Sequence, residues 1–182
     1  MTDQPFTGTY TGKKFHFLDP QPEDICIEDV AQGLSMACRF SGQVKRFYSV
    51  AEHSVHVAAL VFTATGDLQL TFDALMHDAS EAYIADIARP VKVYLADYSR
   101  IEGMVQAAIQ LRFGFRPMDP LVKRIDDNIV RDEAEQLFNV VPDWVEQYKR
   151  VGVTVKSWGP QKARIKFMEL FTLLQEGLNN DT

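Results

Sequence analysis

The seven residues Leu75-Met76-His77-Asp78-Ala79-Ser80-Glu81 place an imidazole, two carboxylates and a hydroxyl in otherwise apolar, helix-forming sequence. On an α-helix, residues three and four apart share a face, so Asp78 and Glu81 are neighbours and His77 and Glu81 face one way. An adjacent His-Asp pair offers a nitrogen and an oxygen to a divalent metal, and a carboxylate one turn later can handle a water. Taken alone the dipeptide carries little weight, because ordinary solvated helix starts and turns hold the same residue types. What stands before and after it decides.

Upstream, Ser49-Val50-Ala51-Glu52 has the capping-box spacing and starts a helix at Ser49 that runs to about Thr65. His53 falls in its first turn, where the helix dipole favours the neutral imidazole that a metal requires. His56 follows three residues later on nearly the same face and reads better as a half-buried histidine than as a group supporting the ligands from behind. Gly66-Asp67 breaks the chain, and Leu68, Leu70, Phe72, Leu75 and Met76 begin the next helix, whose C-terminal part is expected to carry His77, Asp78 and Glu81. Asp86 comes at or just beyond its end. Arg89-Pro90 then enforces a turn, with Lys92 just past it. Val105, Ala108, Ile109, Leu111 and Phe113 give a further helix, stopped by Gly114. Asp119-Pro120 opens another, with Val122, Ile125, Ile129, Ala134 and Leu137 on its apolar side. Asp126 and Asp127 both lie inside it, and Asp126 borders the buried stripe. Aspartate is a poor residue for a helix interior unless something uses it.

Three helices thus contribute ligand-type residues: His53, then His77 with Asp78, then Asp126. Two imidazoles and two carboxylates form a mixed N/O set, suited to one divalent Mn, Co, Ni, Fe or Zn, with Mg also admissible. Ligands on separate helices facing a common core are a known way to build a metal site in a bundle.

Nearer the N-terminus, Val30, Ala31, Leu34, Ala37 and Cys38 recur at helical spacing, predicting a helix that ends near Arg39-Phe40 with Ser41-Gly42 as its stop. Arg39 then either complements the helix dipole or binds a phosphate, with Phe40 offering a face to a base. Residues 1–24 are too rich in Gly, Pro and Thr for a long helix, and Lys14-Phe15-His16-Phe17 permits a short strand or hairpin. A lone His16 there reads as a surface or packing residue. After Pro142 come a short aromatic segment and a β-branched run, Val151 to Val155, which fits an edge strand or an extended connector. Gly159-Pro160 opens the last helix. The expected fold is all-α: one domain over residues 1–182, a helical bundle with a short irregular or β-hairpin N-terminal segment.

At 182 residues the chain can bury a core without disulfides or other staples, and 46% hydrophobic with 24% charged residues is the profile of a soluble globular protein. Cys26 and Cys38 have no CxxC spacing and are expected to be free, largely buried thiols in a reducing, cytoplasmic setting. The first residues do not read as a signal peptide, and no apolar stretch approaches the ~18–20 residues that span a bilayer. A net charge of −6 argues against a general nucleic-acid binder, while leaving room for a small phosphorylated substrate in a locally basic pocket.

The order H…HD…D resembles the signature of the HD superfamily of metal-dependent phosphohydrolases. The blocks Cys38-Arg39-Phe40-Ser41-Gly42, Phe47-Tyr48-Ser49-Val50-Ala51-Glu52-His53-Ser54, His77-Asp78-Ala79-Ser80-Glu81-Ala82 and Pro90-Val91-Lys92 look like HD-family hydrolases of phages and prophages, relatives of the bacterial 5′-deoxyribonucleotidases. Lys123-Arg124-Ile125-Asp126, Glu133-Ala134 and Trp158-Gly159-Pro160 extend the likeness over most of the chain from about residue 10. The resemblance implies an HD-type bundle with His53, His77, Asp78 and Asp126 as metal ligands. The Lys-x-x-Asp…Glu-Ala spacing favours Asp126 over Asp127. It further implies that Glu81 activates or positions the attacking water, that Asp86 serves as proton donor near the leaving group, and that Arg39 holds the substrate phosphate with help from Lys92. Phe40 stands where the nucleotidases tend to have tryptophan, and Gln43 where the phage group has histidine, so substrate choice is where this chain departs.

The expected function is hydrolysis of phosphate from nucleotides, foremost (deoxy)nucleoside 5′-monophosphates, by a homo-oligomer (dimer or higher) with no stable nucleic-acid or membrane partner. Triphosphohydrolase action on (deoxy)nucleoside triphosphates and phosphodiesterase action on a cyclic or signalling nucleotide are the enzymatic alternatives. A degenerate HD scaffold that only binds a nucleotide is the non-enzymatic one, and the full set of His53, His77, Asp78, Glu81 and Asp126 argues against it. Nothing in the chain reads as a P-loop, a dinucleotide-binding glycine motif or a nucleophilic triad.

Overall fold

The computed structural model describes residues 5–180, and among these the fold is all-α with a small N-terminal hairpin. Strands β1 (Thr7–Gly8) and β2 (Lys14–Phe15) pair antiparallel, with Thr7 opposite Phe15. The hairpin serves the core: Phe15 is fully buried and its ring stacks on Tyr83 at 4.0 Å. Asp29 ties the hairpin down by accepting from the Thr11 backbone N–H at 2.7 Å and from its hydroxyl at 2.8 Å.

Helix α1 (Ile27–Met36) buries Val30, Ala31 and Leu34. Helix α2 (Val50–Thr65) starts where the Ser49 hydroxyl accepts from the Glu52 N–H, as the capping box predicts, and ends on Gly66 at φ 67°. It is the central element, packing against α1, α3 (Leu68–Leu75), α7 (Pro120–Leu137) and α8 (Pro160–Asn180). That placement explains why its first turn, Val50 to Ser54, is buried throughout. Short α4 (Glu81–Ile84) and α5 (Arg89–Lys92) lead to α6 (Ala96–Phe113). Caps also set the starts of α3 and α7, with Asp67 accepting from Leu70 N–H and Asp119 from Leu121 N–H. Phe72, Leu75, Ile109, Ile129 and Phe167 meet in one apolar core, and each such side chain contributes ~1.5–3 kcal/mol on burial. No helix among the described residues is long and apolar enough to cross a membrane.

Two predicted boundaries move, and both changes build the site. Helix α1 stops at Met36, so Arg39 is not at its C-terminus. Instead Cys38 bridges Ser49 in antiparallel fashion, the Arg39 N–H donates to the Tyr48 carbonyl at 2.9 Å, and Phe40 and Ser41 take left-handed backbone angles in a 3₁₀ turn. Likewise α3 ends at Leu75, and His77 and Asp78 lie in a tight turn over 76–80 rather than on a helix. Here i→i+3 bonds replace the α ladder, Ala79 N–H to Met76 O and Glu81 N–H to Asp78 O. Gln106 of α6 satisfies what the break releases: its amide nitrogen donates to the carbonyls of Met76 (3.0 Å) and His77 (2.9 Å), and its oxygen accepts from Ser80 N–H (2.9 Å). The Val151–Val155 run is an extended connector, held by the Gln136 amide, which donates to Val153 O and accepts from Val155 N–H. Cys26 and Cys38 are free, as expected, but half-buried rather than largely buried.

Candidate metal centre

The four residues anticipated as ligands converge. One ligand atom each from His53, His77, Asp78 and Asp126 lies within 4.8 Å of all the others. His53 Nε2 stands 3.2 Å from Asp126 Oδ1 and 3.7 Å from Asp78 Oδ2. His77 Nε2 stands 3.1 Å from Asp78 Oδ2 and 3.7 Å from Asp126 Oδ1. The other ring nitrogens are already engaged: His53 Nδ1 lies 2.6 Å from Glu133 Oε1, and His77 Nδ1 lies 2.7 Å from the Ala74 carbonyl. With Nδ1 as the donor in both rings, each Nε2 presents a lone pair toward the two aspartates.

This arrangement fits a divalent cation on its own terms. Both Nε2 atoms are buried and make no aligned hydrogen bond, although buried polar atoms are otherwise almost always satisfied. Burial pushes the Asp78 and Asp126 carboxyls up, yet the facing imidazoles outweigh it and hold both well below the usual range. Burial disfavours charge on His77 too, and Asp78 with Asp126 still pull it upward. The two carboxylates are thus biased toward the presence of positive charge between them. Two nitrogens and two oxygens suit a first-row transition ion. Asp127 stays outside, since its carboxylate faces Lys123 and accepts from Arg89 at 2.6 Å. His56 is also outside, with its ring near Tyr48 and Trp158 and its Nε2 3.4 Å from Glu52.

The cluster forms one wall of a cavity of about 900 Å³ into which Arg39, Phe40, Glu81, Asp86 and Lys92 also project. His53 lies behind that wall, fully buried. Glu81 is 6% exposed, its Oε2 has no partner, and burial, with Asp78 and Asp86 adding to it, pushes its pKa up to about 9. Asp86 is raised as well, by burial first, while Arg39 opposes. Lys92 Nζ lies 3.5 Å from Glu81 and 2.8 Å from Glu102. The Arg39 guanidinium reaches Glu133 at 3.3 Å and approaches Asp78 at 3.7 Å, leaving its buried Nε without a partner. Phe40 meets Phe138 edge-on at 5.2 Å. Gln43, expected beside the pocket, is exposed and does not line the cavity.

Three further residues serve this site without having been expected as site residues. Gln106 shapes the ligand turn, Arg89 donates to Asp126 Oδ2 at 3.0 Å, and Glu133 anchors His53. Only Glu133 had a readable sign, lying seven residues, two helical turns, beyond Asp126 and hence on the same face of α7.

No protein-family model matches the chain. Over 133 residues, 72% of each chain, it is 41% identical to the uncharacterized protein YfdR of Escherichia coli (strain K12). Over 137 residues, 70% of each chain, it is 37% identical to the uncharacterized protein RCAP_rcc00048 of Rhodobacter capsulatus. At that identity and coverage, the chain belongs to the family of YfdR.

Proposed function

We propose that the protein is an HD-superfamily, metal-dependent phosphohydrolase that releases phosphate from nucleotides, with (deoxy)nucleoside 5′-monophosphates as its substrates. The observation that carries this reading is the convergence of His53, His77, Asp78 and Asp126, the last three at the wall of a cavity that also receives Arg39 and Glu81. When bound, a divalent ion supplies Lewis acidity toward a phosphoryl oxygen and lowers the pKa of a water from ~15.7 towards ~7.

The chain's own side chains supply the rest. Arg39, anchored by Glu133, directs its planar fork at phosphoryl oxygens and stabilises the charge that persists on them through the transition state. Glu81, with a free buried oxygen at the cavity, positions the attacking water, and once the charge of a bound divalent ion offsets Asp78 and Asp86 its carboxylate would take the proton of that water as the new P–O bond forms. Asp86, held protonated more strongly than an ordinary aspartate, returns a proton to the leaving sugar oxygen as the old P–O bond breaks. Lys92 steadies Glu81, and Phe40 contributes an aromatic face for the base.

Charge supports an anionic phosphate substrate. The cavity is lined by six carboxylates (Asp73, Asp78, Glu81, Asp86, Glu102, Asp126) against five cations (Arg39, Arg89, Lys92, Arg116, Lys123). A divalent ion turns this balance positive, and more so while Asp86 keeps its proton, as an anionic phosphate substrate requires. The test is free phosphate released from a panel of ribo- and deoxynucleotides with Co, Mn, Ni, Zn or Mg. Release from 5′-monophosphates is expected. Tripolyphosphate from triphosphates, or opening of cyclic nucleotides, would replace this reading with one of the other phosphohydrolase chemistries. No turnover with any metal would leave a nucleotide-binding scaffold.

A further inference from the structure

Glu133 is fully buried, and its carboxylate touches three groups that belong to different parts of the site. Oε1 lies 2.6 Å from His53 Nδ1 and accepts from the Tyr48 hydroxyl at 2.8 Å. Oε2 accepts from Arg39 Nη2 at 3.3 Å. The Arg39 guanidinium at 3.3 Å and the Tyr48 hydroxyl at 2.8 Å both donate to Glu133 and favour its carboxylate form. We propose that Glu133 is a positioning residue that couples the metal-binding and anion-binding halves of the site. Through Oε1 it holds His53 with the proton on Nδ1 and the lone pair of Nε2 on the ion. Through Oε2 it keeps the Arg39 guanidinium within 3.7 Å of Asp78, at the edge of the ligand cluster.

The two histidines are therefore supported differently. His77 leans on a neutral backbone carbonyl, whereas His53 leans on a full negative charge. A carboxylate on Nδ1 raises the basicity of Nε2 and fixes the ring, and losing such a partner weakens metal affinity ~10–100-fold. A purely structural Glu133 would instead be one more buried hydrogen-bonding group, and its loss would change stability alone. Tyr48 supplies the comparison, because its hydroxyl binds the same Oε1 and belongs to neither half of the site.

This inference rests on the metal-site reading, so its test reads metal binding rather than turnover. Zinc and cobalt affinities of the full chain are measured by chelator competition for the wild type, Glu133→Gln, Glu133→Asp and Tyr48→Phe, alongside melting of the metal-free proteins. Glu133→Gln and Glu133→Asp should bind either ion at least tenfold more weakly and show altered cobalt absorption, while Tyr48→Phe keeps wild-type affinity even where its melting temperature falls. Inorganic phosphate should also bind the metal-loaded Glu133→Gln protein more weakly, through the released Arg39. In the zinc-loaded wild type, imidazole NMR should place the His53 proton on Nδ1, a readout that needs no variant. Unchanged metal affinity in Glu133→Gln, or zinc on Nδ1 of His53, overturns the assignment. A wild type that binds neither ion overturns the metal-site reading itself, and the two failures are thereby distinct.

Discussion

Gly33 of α1 packs directly against the backbone of Ala82 in α4: a Cβ at position 33 would lie 2.7 Å from Ala82 Cα and closer still to its carbonyl oxygen. Alanine is otherwise the better helix residue by about 1 kcal/mol. Gly33→Ala should nonetheless destabilise the protein by ~1–3 kcal/mol, because a backbone neighbour cannot rotate away. Glu81 immediately precedes Ala82, so the displacement reaches the site. Thermal melting and metal titration of Gly33→Ala should both show a loss, and a variant more stable than wild type would refute the contact.

Metal content tests the ligand set. Purified protein should carry about one divalent ion per chain, as a four-residue mononuclear site implies. Asp78→Ala removes the oxygen nearest His77 Nε2 and should abolish both ion and activity. Full occupancy by elemental analysis in that variant would exclude Asp78 as a ligand.

Glu81 is separable from the ligands, since it faces the same cavity without joining the four-residue cluster. Glu81→Ala should keep the ion and the fold while lowering kcat by ~10²–10⁴-fold, the usual contribution of a general base. Loss of the metal in this variant would make Glu81 a ligand instead.

Arg39 is expected to act on phosphate in ground and transition states alike. Arg39→Ala should raise KM and lower kcat with the metal still bound, and Arg39→Lys should recover only part of the loss, because a point charge cannot reproduce a planar fork. Steady-state kinetics on a monophosphate would show this. Unchanged turnover in Arg39→Ala would reduce the residue to a structural partner of Glu133.

Asp29 gives the fold a pH signature remote from the site. Burial raises its carboxyl, but bonds from the Cys26 thiol and from Thr11 outweigh that and leave it below the ordinary value. A group depressed in the folded state contributes stability that is present above the unfolded pKa of ~3.9 and is lost as pH falls through the folded one. Asp29→Asn should therefore cost ~1–3 kcal/mol at neutral pH, with the gap to wild type closing below about pH 4. Melting curves from about pH 7 to about pH 3 check this, and a constant gap would show that the charge is irrelevant.

The helices that carry their own punctuation were readable. Ser49 with Glu52, Asp119 with Pro120 and the Gly66 stop mark α2 and α7 to within a residue or so, and the ligand types lie at their expected positions on them. The break after Leu75 was not readable, because the apolar run continues through Met76 and the residue that stabilises the break, Gln106, lies 29 and 30 positions away from the carbonyls it binds. The same applies to Arg39. The helix pattern runs on to Cys38, while the bridge to Ser49 that pulls the chain out of the helix is a tertiary pairing with no local signal. In the sequence, Asp126 was set apart from Asp127 by its place beside the apolar stripe and by the resemblance. In three dimensions the distinction is plain, one carboxylate facing two imidazoles and the other a lysine and an arginine.

Glu52, beside His53, accepts N–H groups from Lys156, Ser157 and Trp158, 104 to 106 residues further along, at 2.5–2.9 Å. The first turn of α2 is therefore closed by the far end of the chain, and His53 finds Glu133 80 residues away. Closing such long loops costs entropy, and folds dominated by distant contacts form slowly. Helices acquire their shape early in refolding, whereas the coordination sphere exists only once the chain has returned on itself. On the proposed metal site, metal capture should then be a clock for the completion of folding: in a stopped-flow experiment it should lag behind the helical signal and keep time with the docking of the 156–158 segment.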